Sequence, residues 1–212
     1  MSNEGNAPRR ADQVVLLAFL DGARVGAIHR GKTGKLRFVY DDRWRANPDA
    51  YPLSLSMPLS AQEHGDSAII SFLWGLLPDS ERTLDQYAKL FGVSPRNPVA
   101  LLTHMGIDCA GAVQFTSPDA GERAEGISSA QGTKEPLSES QIERELRTVR
   151  EQGIPGRSVQ TAGQFSLAGA QPKIALLEED SAWSRPGGRI PTNRILKPPT
   201  GDFKGFRSEE RV

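Results

Sequence analysis

Between Ser117 and Pro136 the apolar pattern of the chain breaks off. This stretch, SPDAGERAEGISSAQGTKEP, is rich in Gly, Pro, Ser and charge. It offers too little apolar surface to offset the conformational entropy lost on ordering it. Residues 118–136 therefore read as a linker, and the apolar surface on either side of it must be buried in two places. The length of 212 residues allows this, because a domain typically takes about 100–200 residues and the whole is one large domain or two small ones.

On the N-terminal side, a polar tail over residues 1–13 precedes an apolar, β-leaning run at 14–20. The Asp21-Gly22 step followed by residues 24–29 predicts a hairpin. Gly34 resets the chain and residues 36–40 form a third strand. Such an antiparallel meander needs a covering layer on its apolar face, and helical signals follow. Residues 68–77 are strongly apolar and end at Pro78. Ser80 caps a stretch with Leu84, Tyr87, Ala88 and Phe91 at i, i+3, i+4 and i+7, closed by Gly92. Asn97-Pro98 opens a third helix through Leu101, Leu102 and Met105 to Gly106, and residues 112–116 return as a strand.

On the C-terminal side, Ser138-x-x-Gln141 has the form of a capping box. Leu137 and Ile142 are placed as a hydrophobic staple for a helix carrying Leu146 and Val149, which Gly153 and Pro155 end. From Gln164 the pattern turns to β: residues 165–167, 173–177, a turn around 179–181, a short strand near Trp183, and 194–197. The expected fold class is α+β, an antiparallel sheet with covering helices followed by further β-strands. Its units are a tail (1–13), a first subdomain (14–117), the linker, a connecting helix (137–155), a second unit (156–206) and an aberrant tail (207–212).

Basic and acidic residues number 26 each, so no bulk charge draws the chain to nucleic acid or to an anionic membrane. The greasy stretches VVLLAFL and AIISFLWGLL are shorter than a membrane span, and MSNEGNAPRRADQ lacks the apolar run of a signal peptide. One cysteine, Cys109, has no partner for an internal disulfide. His29, His64 and His104 lie far apart without cysteines or carboxylates at ligand spacing, so no metal site is expected. The expectation is a cytoplasmic protein with no membrane and no direct nucleic-acid contact.

Chemistry concentrates in Ser166-Leu-Ala-Gly-Ala-Gln-Pro-Lys173, small residues between two β-like segments, and in Arg194-Ile-Leu-Lys197 on a later strand. Small residues let a backbone approach a phosphate, and a strand-borne lysine supplies a point charge to it. With neither a Walker A motif nor a complete G-x-G-x-x-G, the pattern alone also fits a tight turn beside a solvated lysine.

At these residues the sequence resembles the HipA family, the serine/threonine kinase toxins of bacterial toxin–antitoxin modules. Pro52-Leu-Ser-Leu-Ser-Met-Pro-Leu59, Phe72-Leu-Trp-Gly-Leu-Leu-Pro-Asp-Ser80, Leu101-Leu-Thr-His-Met-Gly-Ile-Asp-Cys-Ala-Gly-Ala-Val113, Ser166 to Lys173 and Pro191-Thr-Asn-Arg-Ile-Leu-Lys197 look like its blocks, in its order. The resemblance implies a HipA N-terminal subdomain followed by the first strands of a kinase-like nucleotide lobe. It places Ala168, Gly169, Ala170, Gln171 and Lys173 in the ATP-phosphate loop and makes Lys197 the strand lysine on the phosphates. It marks Ser166 as the regulatory autophosphorylated serine, and a charged phosphate there would disfavour a tightly packed loop. Pro172 departs from the polar residue many relatives carry and stiffens the loop. Asp79 and Asp108 read as helix-end and turn residues rather than as acids or bases.

The resemblance also implies ATP and Mg²⁺, a HipB-like DNA-binding antitoxin as partner and, for an intact member, an aminoacyl-tRNA synthetase as protein substrate. Phosphoryl transfer needs an aspartate to position the hydroxyl and Asp/Asn ligands for Mg²⁺. After Lys197 the sequence holds one aspartate, Asp202, and residues 207–212 resemble nothing in the family. The expectation is a truncated member with no catalytic residue present, through a frameshift or early stop near Phe206. Two alternatives stay open: a non-catalytic module that engages an antitoxin or partner kinase, and a decaying gene product.

Overall fold

The computed structural model describes residues 13–109, 113–119, 132–152, 165–166, 168–169, 171–187 and 190–199. Its first hairpin follows from the Asp21-Gly22 step. Asp21 has φ 48° and Gly22 φ 80°, the pair of left-handed residues whose twist matches that of two antiparallel strands. They join β1 (Gln13–Leu20) to β2 (Ala23–Arg30). With β3 (Leu36–Tyr40), β4 (Glu63–His64) and β6 (Val113–Thr116) these make a five-stranded antiparallel sheet in the order β4-β3-β2-β1-β6. The intervening β5 (Asp108–Cys109) lies outside it.

The helical layer is α1 (Asp42–Arg45), α2 (Asp66–Trp74), α3 (Glu81–Phe91) and α4 (Pro98–Met105). Each of the last two starts where a side chain satisfies an amide that the first turn leaves unpaired. Ser80 Oγ accepts from Thr83 N at 3.3 Å and Asn97 Oδ1 accepts from Ala100 N at 3.2 Å. Gly92 ends α3 at φ 67°. Gly106 ends α4 for a different reason: a Cβ there would stand 2.7 Å from Phe115 Cβ, so only glycine lets α4 lie this close to β6. The layer and the sheet enclose one core, with Leu16, Phe38, Leu73, Leu101, Leu102, Met105 and Phe115 fully buried. Tyr40 ties the loop of residues 52–59 to it. Its hydroxyl donates to Met57 O at 2.6 Å and accepts from Leu53 N at 2.7 Å.

The second half is a four-stranded antiparallel sheet in the order β11-β9-β10-β7, made of β7 (Lys134–Leu137), β9 (Ile174–Glu179), β10 (Ala182–Pro186) and β11 (Arg194–Leu196). Asp180 and Ser181, at φ 49° and 66°, make its own tight turn between β9 and β10. Against it lies α5 (Glu139–Gln152), whose Ile142, Leu146 and Val149 pack on Leu137, Ile174 and Leu176. Gln141 Oε1 accepts from Ser138 N at 2.8 Å, the reach-back half of the capping box, and Leu137 and Ile142 share the small core as a staple does.

Several expectations change in detail. Lys134 to Leu137 form a strand although the segment up to Pro136 reads as linker. β7 is held by pairing with β10 and by charge partners, with only Leu137 buried, and so carries no apolar period. The apolar run at 68–77 is helical from Asp66 to Trp74 only, after which Leu76 and Leu77 bond back three residues in a tighter turn. The short α1, β4 and β5 are additions: Asp41 Oδ1 caps α1 by accepting from Arg43 N, while β4 and β5 are set by pairing with β3 and β8. The tails at 1–12 and 200–212, most of the linker, Ala112, Gly153, Pro155 and Leu167 lie outside the described residues. Among the described residues no helix is long and apolar enough to cross a membrane, and no group of three or more His, Cys, Asp or Glu could hold a metal ion.

Candidate functional site: a two-lysine loop

The two halves meet at a small parallel ladder. β8 (Phe165–Ser166) pairs with β5, Asp108 opposite Phe165 and Cys109 opposite Ser166. Cys109 is buried, and its thiol donates to Gly106 O. The strand that enters the 166–173 segment is thus anchored on the N-terminal half.

Beyond β8 the chain turns at Gly169, whose φ of 104° is open to glycine and strained for other residues. The turn brings the backbone over the Lys173 side chain. Lys173 Nζ donates to Ala168 O at 2.6 Å, and a Cβ on Gly169 would stand 2.9 Å from the same nitrogen. Gln171 and Lys173 are half-buried and Ala168 is exposed. Ala170 lies outside the described residues, as does the side chain of Ser166.

The second lysine arrives through sheet register. Leu196 of β11 stands opposite Ile174 of β9, so Lys197 and Lys173 sit at the same end of the antiparallel pair. Partial burial holds the Lys173 ammonium below its ordinary range, and the like charge of Lys197 pushes the same way. Asp79, exposed in the turn ahead of the α3 cap, opposes them by attracting the charged form. Two cations from one sheet and one carboxylate from the other half therefore share a field beside a glycine turn. Such a group can hold an anion that offers several oxygens.

The geometry brings together Ala168, Gly169, Lys173 and Lys197, with Gln171 between them in sequence. Asp79 adds to its turn position an electrostatic pull on Lys173 that the sequence gives no sign of, since the two lie far apart along the chain. Asp108, whose backbone is in the ladder, takes a strand position.

Residues 16–116 match the model of the HipA N-terminal domain. Among curated proteins, the chain is 35% identical over 200 residues to the putative kinase Y4mE of Sinorhizobium fredii, covering 92% of this chain and 46% of that one. It is 27% identical over 160 residues to the serine/threonine-protein kinase toxin HipA of Shewanella oneidensis, covering 74% of this chain and 34% of the other. The chain is a HipA-family protein, with antiparallel sheets and helices in the α+β arrangement expected. It spans about half the length of the first of these relatives and a third of the second.

Proposed function

We propose that this chain supplies the phosphate-binding half of a HipA-type ATP-dependent protein kinase, Ala168, Gly169, Ala170, Gln171 and Lys173 forming the phosphate loop and Lys197 the strand lysine. The observation that carries the reading is the pairing of Lys173 and Lys197 at one sheet end, with Lys173 folded under the Gly169 turn. Lysines act on phosphates as point charges, and two of them close together add their attractions for a polyphosphate. Ser166, at the ladder beside this loop, is the proposed site of regulatory phosphorylation. Residues 14–117 and 156–206 are the proposed functional units, the first a HipA N-terminal subdomain and the second the start of a kinase core.

Transfer itself calls for an aspartate beside the incoming hydroxyl and for Asp/Asn ligands to Mg²⁺. Among the described residues no group of three or more His, Cys, Asp or Glu could hold a metal ion, and Mg²⁺ is assigned no ligands here. The proposal gives the chain nucleotide binding and no phosphoryl transfer of its own. Titration of the full chain with ATP tests the first part: substitution Lys173→Ala or Lys197→Ala is expected to weaken binding about tenfold, a value in the range of one charge-assisted contact. Binding by both variants as tight as that of the parent chain would sink it. Radiolabelled Mg-ATP tests the second, and phosphate incorporated at Ser166 would show that the chain transfers by itself.

A second reading, a binding module for a HipB-like antitoxin or a partner kinase, is favoured by the separate core of the N-terminal half. It is favoured too by Leu55, 94% exposed on the rigid 52–59 loop. Substitution Leu55→Asp would then abolish co-purification of the antitoxin from cells expressing both proteins; unchanged recovery counts against this reading.

A further inference from the structure

We propose that Lys173 is a positioning residue of the phosphate loop, a clasp whose grip on the Ala168 carbonyl closes the turn before any nucleotide arrives and decides which end of that peptide faces it. The inference rests on the nucleotide-binding reading above and adds to it the means by which the empty loop keeps its shape.

The loop is pinned at both ends. Its entry is fastened by the ladder of β5 and β8, on which α4 also packs. Its exit is fixed where Ile174 pairs with Leu196. Between these anchors the chain turns at Gly169, with φ 104°. A glycine turn holds its shape poorly by itself, because glycine has the most backbone freedom to lose. Lys173 supplies the missing restraint. Its ammonium donates to Ala168 O at 2.6 Å and so closes a ring across the turn. A Cβ on Gly169 would come within 2.9 Å of the same nitrogen, so the ammonium has its place only because residue 169 is glycine.

The bond also sets the polarity of the loop. In a trans peptide the carbonyl and the following N–H point in opposite directions. With Ala168 O drawn inward to the ammonium, the Gly169 N–H faces outward from the ring. Backbone N–H groups attract an anion, and a bare carbonyl repels it. Lys173 thus favours phosphate by hiding the acceptor and presenting the donor, an effect separate from its charge. Lys197, on the neighbouring strand end and outside the ring, brings charge without the clasp and serves as the control.

The test uses the full chain with isotopically labelled glycine and alanine, its Lys173→Met and Lys197→Met variants, and inorganic tripolyphosphate as the probe. Methionine matches the lysine stem in length and has no proton to donate. Without the probe, Lys173→Met is expected to move the Ala168 carbonyl carbon resonance upfield and to lower the order parameter of the Gly169 amide from about 0.85 to below about 0.6; Lys197→Met should change neither. With the probe, both variants are expected to bind about tenfold more weakly. At saturation the Gly169 amide should shift as in the parent in Lys197→Met and stay unmoved in Lys173→Met. If Lys173→Met binds more weakly while the order parameter and the Gly169 shift remain those of the parent, Lys173 is a ligand contact only: the nucleotide reading stands and the clasp falls. Should no protein bind the probe, the parent included, the nucleotide reading fails, and the order parameter of the chain without probe alone decides: a drop in Lys173→Met upholds the clasp, and an unchanged value rejects it.

Discussion

In the N-terminal sheet, β1 buries Leu16, Ala18 and Leu20 in the main core and Leu17 and Phe19 in a smaller cluster with Ala27 on the other face. In the C-terminal sheet, β7 buries Leu137 alone and leaves Lys134 and Glu135 to charged partners across the strands. The first half is held by apolar area, which acts without direction and tolerates neighbours. The second depends on a few residues in its core and on directed pairs: Arg185 reaches both Glu135 and Glu145, Lys134 pairs with Glu179, and Arg194 with Glu178. Buried apolar area stabilises far more per residue than exposed ion pairs do. The halves should therefore differ in stability and in what destabilises them.

The largest effect is expected from Leu101→Ala. Its side chain is fully buried in α4, and truncation of this kind costs about 2–5 kcal/mol. Urea unfolding followed with amide exchange should show the loss throughout residues 16–116 and little change in α5, β9 and β10. A loss of equal size in both halves would show that they unfold as one unit.

A smaller effect is expected from Arg185→Ala. Its side chain is 19% exposed and that of its partner Glu145 21%. Removing it strands a carboxylate that is mostly out of water, at a cost of about 1–3 kcal/mol. Exchange should rise in α5 and β10 while the N-terminal sheet keeps its protection. An unchanged midpoint would mean that the ion pairs contribute nothing and that the small core alone holds this half.

The smallest is a slope. Burial and the charge of Lys197 depress the Lys173 ammonium in the folded chain, so between its folded value and the ordinary lysine range the unfolded state binds more protons. Stability from this group then rises with pH across that window, and the unfavourable contribution is fully present below the folded value. Lys173→Gln should flatten the rise in a series of urea midpoints taken from pH 8 to 10.5. A slope unchanged by the substitution would place Lys173 in an environment like water.

Local signals carried much of the architecture into view. The Asp21-Gly22 hairpin, the Ser80 and Asn97 caps, the Gly92 stop and the reach-back half of the Ser138–Gln141 capping box all describe interactions within a few residues, and all five stand in the structure. What stayed hidden depends on partners far along the chain. β5 exists because Phe165 and Ser166 lie beside it, and β7 because β10 does. The same holds for the site. Lys173 and Lys197 could be picked out as residues suited to phosphate, but their meeting is a consequence of register between β9 and β11. Asp79 belongs to a block that reads as turn chemistry, and nothing near it in sequence announces a lysine.

The parallel ladder of β5 with β8 also has a consequence for the order in which the chain takes shape. All five strands of the first sheet have left the ribosome once Thr116 has emerged, and a domain of this kind can close while synthesis continues. The phosphate loop cannot. Its anchor waits until Ser166 appears, and the ladder must then close across the whole intervening stretch, a step whose entropy cost grows slowly with length. The newly made N-terminal half therefore spends an interval with the β5 backbone waiting for β8. During that time the edge which will hold the loop is open to another strand.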